Sequence, residues 1–186
     1  MEQPLIEEQK EQEKGKTNWK KEVKSWVITI GAAVLAVVFL QTCVIVNANV
    51  PTGSMEDTIM AGDRIIAGRF SYWFSDPERG DIAVFRYPDD ESKLYVKRVI
   101  GLPGETVEIK GGEVYIDGEV LEEPYLDVET IGDFGPYEVP EESYFMMGDN
   151  RNDSQDSRYW NNTFVKRNKI LGKVYFTYLP KIKWLD

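Results

Sequence analysis

The hydrophobic pattern divides the chain in two. Residues 26–46 run for 21 positions without a charge, with Thr29, Gln41 and Thr42 as their polar members. As a helix this run spans about 31 Å, close to the hydrocarbon thickness of a bilayer. Trp26 stands at its start, where interfacial aromatics are favoured. A cleaved signal peptide has a short basic leader and an apolar core of about 7–15 residues. Here the leader is 25 residues long with six Glu, and the apolar run exceeds such a core, although Val46-Asn47-Ala48 resembles a small-residue cleavage site. A buried soluble helix is seldom uncharged all round. The pattern predicts a transmembrane helix over residues 25–47.

After residue 60 no long 3.6-residue period appears, and short apolar runs alternate with turn signals. Strands are expected over residues 81–85, 94–100, 106–110, 114–116, 143–147 and 173–178. Gly111-Gly112 and Asp117-Gly118 are two-residue hairpin signals. Residues 122–140, with Pro124, Gly132, Gly135 and Pro136, read as an irregular excursion on the β core. The fold class predicted is mostly β: one N-terminal transmembrane helix, then a β-sheet or barrel-like domain over residues 48–186.

Charge adds an orientation. The first 24 residues carry six Lys, and after Val46 the next basic residue is Arg64. The positive-inside bias makes residues 1–24 a cytoplasmic tail and places residues 48–186 outside the cell membrane, as an extracytoplasmic domain on a single-pass anchor. The tail is rich in Glu, Lys and Gln, as a disordered segment or a short solvated helix would be. The net charge of −10 argues against a nucleic-acid partner. Residues 105–142 hold 13 acids against Lys110 alone, which reads as a solvated face. Residues 70–74, Phe-Ser-Tyr-Trp-Phe, suit either a dip into the outer leaflet or an ordinary buried turn.

The chain has no His and one Cys, Cys43, inside the predicted span. That excludes a Ser-His-Asp triad, a Cys-His dyad, imidazole-ligated zinc and an internal disulfide. A general base must then be Lys, Asp, Glu or Tyr.

Three segments carry candidate chemistry. Pro51-Thr52-Gly53-Ser54-Met55 sets a glycine before a serine, a turn able to present the hydroxyl, or else an N-cap for a short helix over residues 55–60. Lys97 lies in Tyr95-Val96-Lys97-Arg98-Val99, where strand alternation groups it with Tyr95 and Val99. Among apolar groups its pKa falls and it can act as a base; at a strand edge it would snorkel. Residues 148–158, Gly-Asp-Asn-Arg-Asn-Asp-Ser-Gln-Asp-Ser-Arg, read as a solvated loop or as a hydrogen-bond and ion-pair network. A calcium loop fails on spacing, because Arg151 occupies a ligand position and no Gly follows. Together the three supply the Ser-Lys variant of nucleophilic catalysis.

With these residues the chain resembles bacterial type I signal peptidases of the small Gram-positive kind. Four blocks stand in the family's order: residues 51–55 (PTGSM), 80–85 (GDIAVF), 95–105 (YVKRVIGLPGE) and 148–158 (GDNRNDSQDSR). The resemblance implies Ser54 as nucleophile and Lys97 as general base. It implies Thr52 as an oxyanion-hole hydroxyl beside the Ser54 N–H, and Ser154 as a hydroxyl hydrogen-bonded to the lysine. Asp156 and Arg158 become a supporting ion pair, Asp149 and Arg98 structural positions. Val50, Met55, Ile59, Tyr95 and Val96 fall where the family lines its small-residue pockets. The implied reaction is removal of signal peptides from preproteins after Ala-x-Ala type sites through an acyl-enzyme, without cofactor or metal, at the lipid bilayer and alongside the secretion translocon. Two departures stand out: Asp57 replaces a frequent Pro and Glu105 a common Asp. The rivals are a non-catalytic membrane-anchored β module and a self-cleaving repressor-type Ser-Lys peptidase, which would want a DNA-binding segment where this chain has its apolar run.

Overall fold

The computed structural model describes residues 19–185. Residues 1–18 of the predicted 1–24 tail, and Asp186, lie outside the described residues. The described residues form two compact units, divided between Thr42 and Cys43.

In the first unit, helix α1 runs from Trp19 to Phe39 and passes into a five-residue π turn, Leu40–Val44. Together they make one helix long and apolar enough to cross a membrane. Its polar side chains fold back onto its own backbone. Thr29 Oγ1 donates to the Ser25 carbonyl at 2.9 Å and Thr42 Oγ1 to the Val38 carbonyl at 2.8 Å, so neither hydroxyl needs an outside partner.

The helix starts earlier and stops sooner than its apolar pattern. It takes in Lys20, Lys21, Glu22 and Lys24, and it ends before Ile45. Ile45–Asn49 is instead strand β1 of the second unit, registered on β2 (Arg64–Gly68) as Val46↔Ala67. Both Ile45 and Val46 are β-branched, and Val46 is buried in the β core, so tertiary burial decides against the helix.

The second unit is antiparallel. Its main sheet uses β1, β2, β3 (Ile82–Tyr87), β4 (Asp90–Gly101), β9 (Ser143–Met147), β10 (Val165–Lys166), β11 (Ile170–Leu179) and β12 (Lys183–Trp184). Their order is β1-β2-β11-β3-β4-β9-β10, with β12 on β11. A smaller sheet has the order β7-β6-β5-β8, from β5 (Thr106–Lys110), β6 (Glu113–Ile116), β7 (Glu119–Val120) and β8 (Phe134–Glu138). Gly111-Gly112 closes β5 on β6 with both φ angles positive, at 60° and 92°, the geometry that only a primed turn needs.

Central strands are buried on both faces, so they read as unbroken apolar runs. On β3, Ile82 and Val84 join one core with Val46, Ile65, Ala67 and Val174, while Ala83 and Phe85 join another with Val99, Met146 and Trp160. On β9, Tyr144 and Met146 enter the second core, and Phe145 and Met147 a third with Ile100, Val107 and Ile109.

The excursion over residues 122–140 is less irregular than its composition. Phe134–Glu138 pairs with β5, and Phe134 and Tyr137 pack on the third core. The Gly135-Pro136 pair falls at a register shift in that ladder, where a missing N–H costs least. Of the aromatic run, Phe70–Tyr72 is a 3-10 turn. Tyr72 is buried and donates to Asp81 Oδ2 at 2.9 Å, Phe70 stacks on Tyr175, and Phe74 stays 95% exposed.

Candidate active site

The segment after β1 forms a tight series of turns rather than a helix. Val50 N–H donates to the Asp63 carbonyl, Glu56 N–H to Gly53 and Ile59 N–H to Met55, at 2.9, 2.9 and 2.7 Å. Met55 and Ile59 are fully buried and anchor the turn from below. Asp57 has φ +76°, where proline, fixed near −65°, has no place.

On the neighbouring strand β4, Lys97 is 2% exposed and its Nζ is hydrogen-bonded to Ser54 Oγ. Burial pushes the Lys97 ammonium down to about 8 from its ordinary 10.5. Asp156 and Asp149 oppose that shift by attraction, and Arg158 adds to it by repulsion. Thr52 Oγ1 lies 3.4 Å from Ser54 Oγ.

The loop over residues 148–158 is the ion-pair network and not a solvated coil. Asp156 and Arg158 form a bidentate pair, Nε–Oδ1 2.8 Å and Nη2–Oδ2 2.7 Å, with both side chains 0% exposed. Asp149 takes a second bidentate pair from Arg98 at 2.9 and 2.7 Å, and also accepts from Thr58 Oγ1. The loop is tied directly to the Ser54 turn: Asn150 Nδ2 donates to the Gly53 carbonyl at 3.0 Å and Asn150 N–H to the Ser54 carbonyl at 3.2 Å. Ser154 corrects an expectation. Its Oγ is buried against Gly148 and has no hydrogen-bond partner among the described residues, so the bond to Lys97 is not made.

A cleft of about 310 Å³ opens beside the pair, walled by residues 49–54, by Leu94–Lys97 of β4, and by Asp153 and Gln155. Val50, Tyr95 and Val96 line it; Met55 and Ile59 do not, being packed in the core underneath with Val50 and Val96. One edge of β4 is open along this wall. Val99 N–H donates to the Asp81 carbonyl, towards β3, and the β3–β4 register is unbroken from Ile82↔Arg98 to Arg86↔Leu94. Alternation then turns the backbone of Val96 and Leu94 away from β3. The next strand, β9, pairs with β4 only from Arg98 onward.

Several site residues were not singled out in the sequence. Arg151 is 1% exposed and pairs with Glu123 of the excursion, Nη1–Oε2 2.7 Å. Tyr125 lays its ring 3.8 Å from the Arg98 guanidinium. Gly148 is the tightest point: a Cβ there would come well under 3.0 Å from the Ser54 carbonyl oxygen and from Ser154 Oγ. Because the Ser54 side is backbone, the Ser54 turn itself must yield. Gly148→Ala is expected to lower kcat for the cleavage described below by about 100-fold, the scale of a misplacement of roughly 1 Å, with the protein still folded by circular dichroism.

Residues 23–179 match the family model described as signal peptidase, peptidase S26. The chain is 40% identical over 158 residues to the probable signal peptidase I-2 of Synechocystis sp., covering 82% of this chain and 71% of that protein. It is 40% identical over 160 residues to signal peptidase I of Leptolyngbya laminosa, covering 82% and 77%. With signal peptidase I of Bacillus amyloliquefaciens the identity is 39% over 178 residues, covering 90% and 94%. The match spans the apolar helix, the Ser54 turn, β4 and the ion-paired loop, and the chain belongs to the signal peptidase family, peptidase S26.

Proposed function

We propose that this protein is a membrane-anchored serine endopeptidase that removes signal peptides from exported preproteins, with Ser54 as nucleophile and Lys97 as general base. The observation that carries the reading is the buried Lys97 Nζ hydrogen-bonded to Ser54 Oγ. A neutral amine in that place can take the hydroxyl proton, which Asp and Glu, absent from the immediate pair, do not compete for.

The cleavage segment of the preprotein adds as an extended strand to the free edge at Leu94–Val96, between β4 and residues 49–51. Val50, Tyr95 and Val96 leave room there for small side chains, which favours Ala-x-Ala sites. Ser54 Oγ attacks the carbonyl carbon before the scissile bond while its proton passes to Lys97. The oxyanion is held by Ser54 N–H and the Thr52 hydroxyl. The intermediate collapses to an acyl-enzyme as Lys97 returns the proton to the leaving amine. Lys97 then takes a proton from the water that attacks the ester carbonyl, and passes it to Ser54 Oγ as the acyl–oxygen bond breaks and the product acid leaves. The anchor is read with its N-terminus in the cytoplasm, so the β unit meets preproteins as they leave the translocon. A non-catalytic module would need neither Ser54 nor Lys97.

The test is incubation of the full-length protein, in detergent or liposomes, with a preprotein carrying an Ala-x-Ala site, and mass spectrometry of the product termini. A single cut after the −1 Ala is expected, absent in Ser54→Ala. A cut that survives in Ser54→Ala sinks the Ser-Lys assignment.

A further inference from the structure

We infer that Glu123 is a positioning residue for the Ser54–Lys97 pair: the segment between β7 and β8 delivers its carboxylate to the buried Arg151 and so holds the loop over residues 148–158 against the Ser54 turn. The inference rests on the proposed roles of Ser54 and Lys97.

The contacts form a continuous chain. Glu123 holds both terminal nitrogens of Arg151, whose side chain is 0% exposed. Among the described residues Glu123 is its only carboxylate partner, and Thr130 Oγ1 accepts a longer bond at 3.4 Å. Arg151 Nε donates to the Gly148 carbonyl at 3.1 Å, and the Arg151 carbonyl accepts from Arg158 Nη2 at 2.7 Å. Arg158 pairs with Asp156, and Asp156 Oδ2 accepts from Gly148 N–H at 3.0 Å. Gly148 lies against the Ser54 carbonyl. Arg151 therefore fixes both flanks of the loop's tightest residue, and Glu123 fixes Arg151.

Two neighbouring contacts show that the excursion is fastened here and not merely passing. Asn152 accepts from Ile131 N–H at 2.8 Å and donates to the Glu129 carbonyl at 3.1 Å. Tyr125 covers Arg98, which holds Asp149. Among the described acids of residues 105–142, Glu105 takes a half-buried pair from Arg79, and Glu123 is the one that turns inward to a fully buried guanidinium. A buried cation stripped of its partner is strongly disfavoured, so loss of the Glu123 charge must shift the Arg151 side chain and release Gly148.

The consequence for Lys97 has a definite sign. The charged groups that act on it are Asp149, Asp156 and Arg158, and burial is the largest influence. None of these three changes charge when Glu123 is replaced. A loosened loop admits water to Lys97, relieves the burial and moves its midpoint up.

The experiment compares Glu123→Gln with the wild type in the preprotein assay, over pH 6 to 10, with hydrogen exchange of residues 148–158 measured in parallel. Expected are a fall in kcat of about 10- to 100-fold at unchanged KM, a rising limb displaced to higher pH, and faster exchange in the loop, all well below the melting temperature. Wild-type kcat and an unmoved limb in folded Glu123→Gln overturn the inference. If Glu123→Gln does not fold, the double variant Glu123→Met, Arg151→Met decides: it removes both charges, and it is expected to fold yet keep the kcat defect, because the bond to the Gly148 carbonyl is gone. Full kcat in that variant overturns the inference. A wild type that fails to cut at all refutes the peptidase reading instead, and leaves loop exchange in Glu123→Gln as the separate measure of the staple.

Discussion

Lys97→Met is expected to abolish cleavage and at the same time to stabilise the β unit at neutral pH. The loss follows from the role proposed for the amine: if Lys97 is the base, no other group takes the Ser54 proton, and a fall of about 10⁴-fold or more in kcat/KM is expected. The gain follows from the burial that makes the amine a base. In the unfolded chain Lys97 titrates near 10.5, and in the folded state near 8. Between those values the unfolded state binds more protons, so stability rises with pH across the window. Below about pH 8 both states are protonated and the folded state carries the full penalty of a buried ammonium. The shift of about 2.5 units corresponds to roughly 3 kcal/mol, an upper figure for what Met recovers at pH 7. That advantage shrinks from pH 8 upward and is gone above about pH 10.5. Paired melts of wild type and Lys97→Met at pH 7 and 10 read the difference. The same titration gives wild-type kcat/KM a rising limb with midpoint near 8, since only neutral Lys97 is a base. Equal stabilities at pH 7, with no limb in that range, would contradict a buried, depressed lysine.

How much of this could be read from the chain depends on the range of each signal. Strands with local turn chemistry were legible: Gly111-Gly112 placed the β5–β6 hairpin, and the alternation around Lys97 placed Tyr95 and Val99 in one core and Val96 in another. Ser54 and Lys97 could be singled out as candidates because each sits in a compact motif and the missing His removes imidazole as a competing base, and the structure brings the two side chains together. Three features were not. The end of α1 was misplaced because Ile45 and Val46 suit a bilayer and a β core equally, and only pairing with β2 chooses. Strand β8 was missed because its Gly-Pro pair signals a break, whereas a register shift absorbs it. Glu123 lay in a run of acids that reads as solvated, and its guanidinium partner is 28 positions away. Asn150, which ties the loop to Gly53 97 positions earlier, is likewise a tertiary choice that no local pattern encodes.

Asp156→Asn is expected to cost about 3–5 kcal/mol of stability and to move the rising limb of the pH profile downward. The cost comes from Arg158, which stays charged and 0% exposed with its bidentate partner gone. Against a usual total of about 5–15 kcal/mol, this is a fall of roughly 10–20 °C in melting temperature for a unit of this size. The Gly148 N–H loses its charged acceptor as well, so kcat drops together with stability. The limb moves because the Asp156 charge holds the Lys97 pKa up while Arg158 presses it down. Removing the carboxylate leaves Arg158 opposed by Asp149 alone, and the midpoint falls below 8. That sign separates an electrostatic change from a loosening one, since a looser loop hydrates Lys97 and raises the midpoint. A stability loss with a limb moving upward would mean that water entry outweighs the lost charge. If Asp156→Asn is too unstable to assay, Asp156→Leu with Arg158→Met removes both buried charges and is expected to recover the fold. In that variant attraction and repulsion vanish together, and the limb is expected to return towards 8.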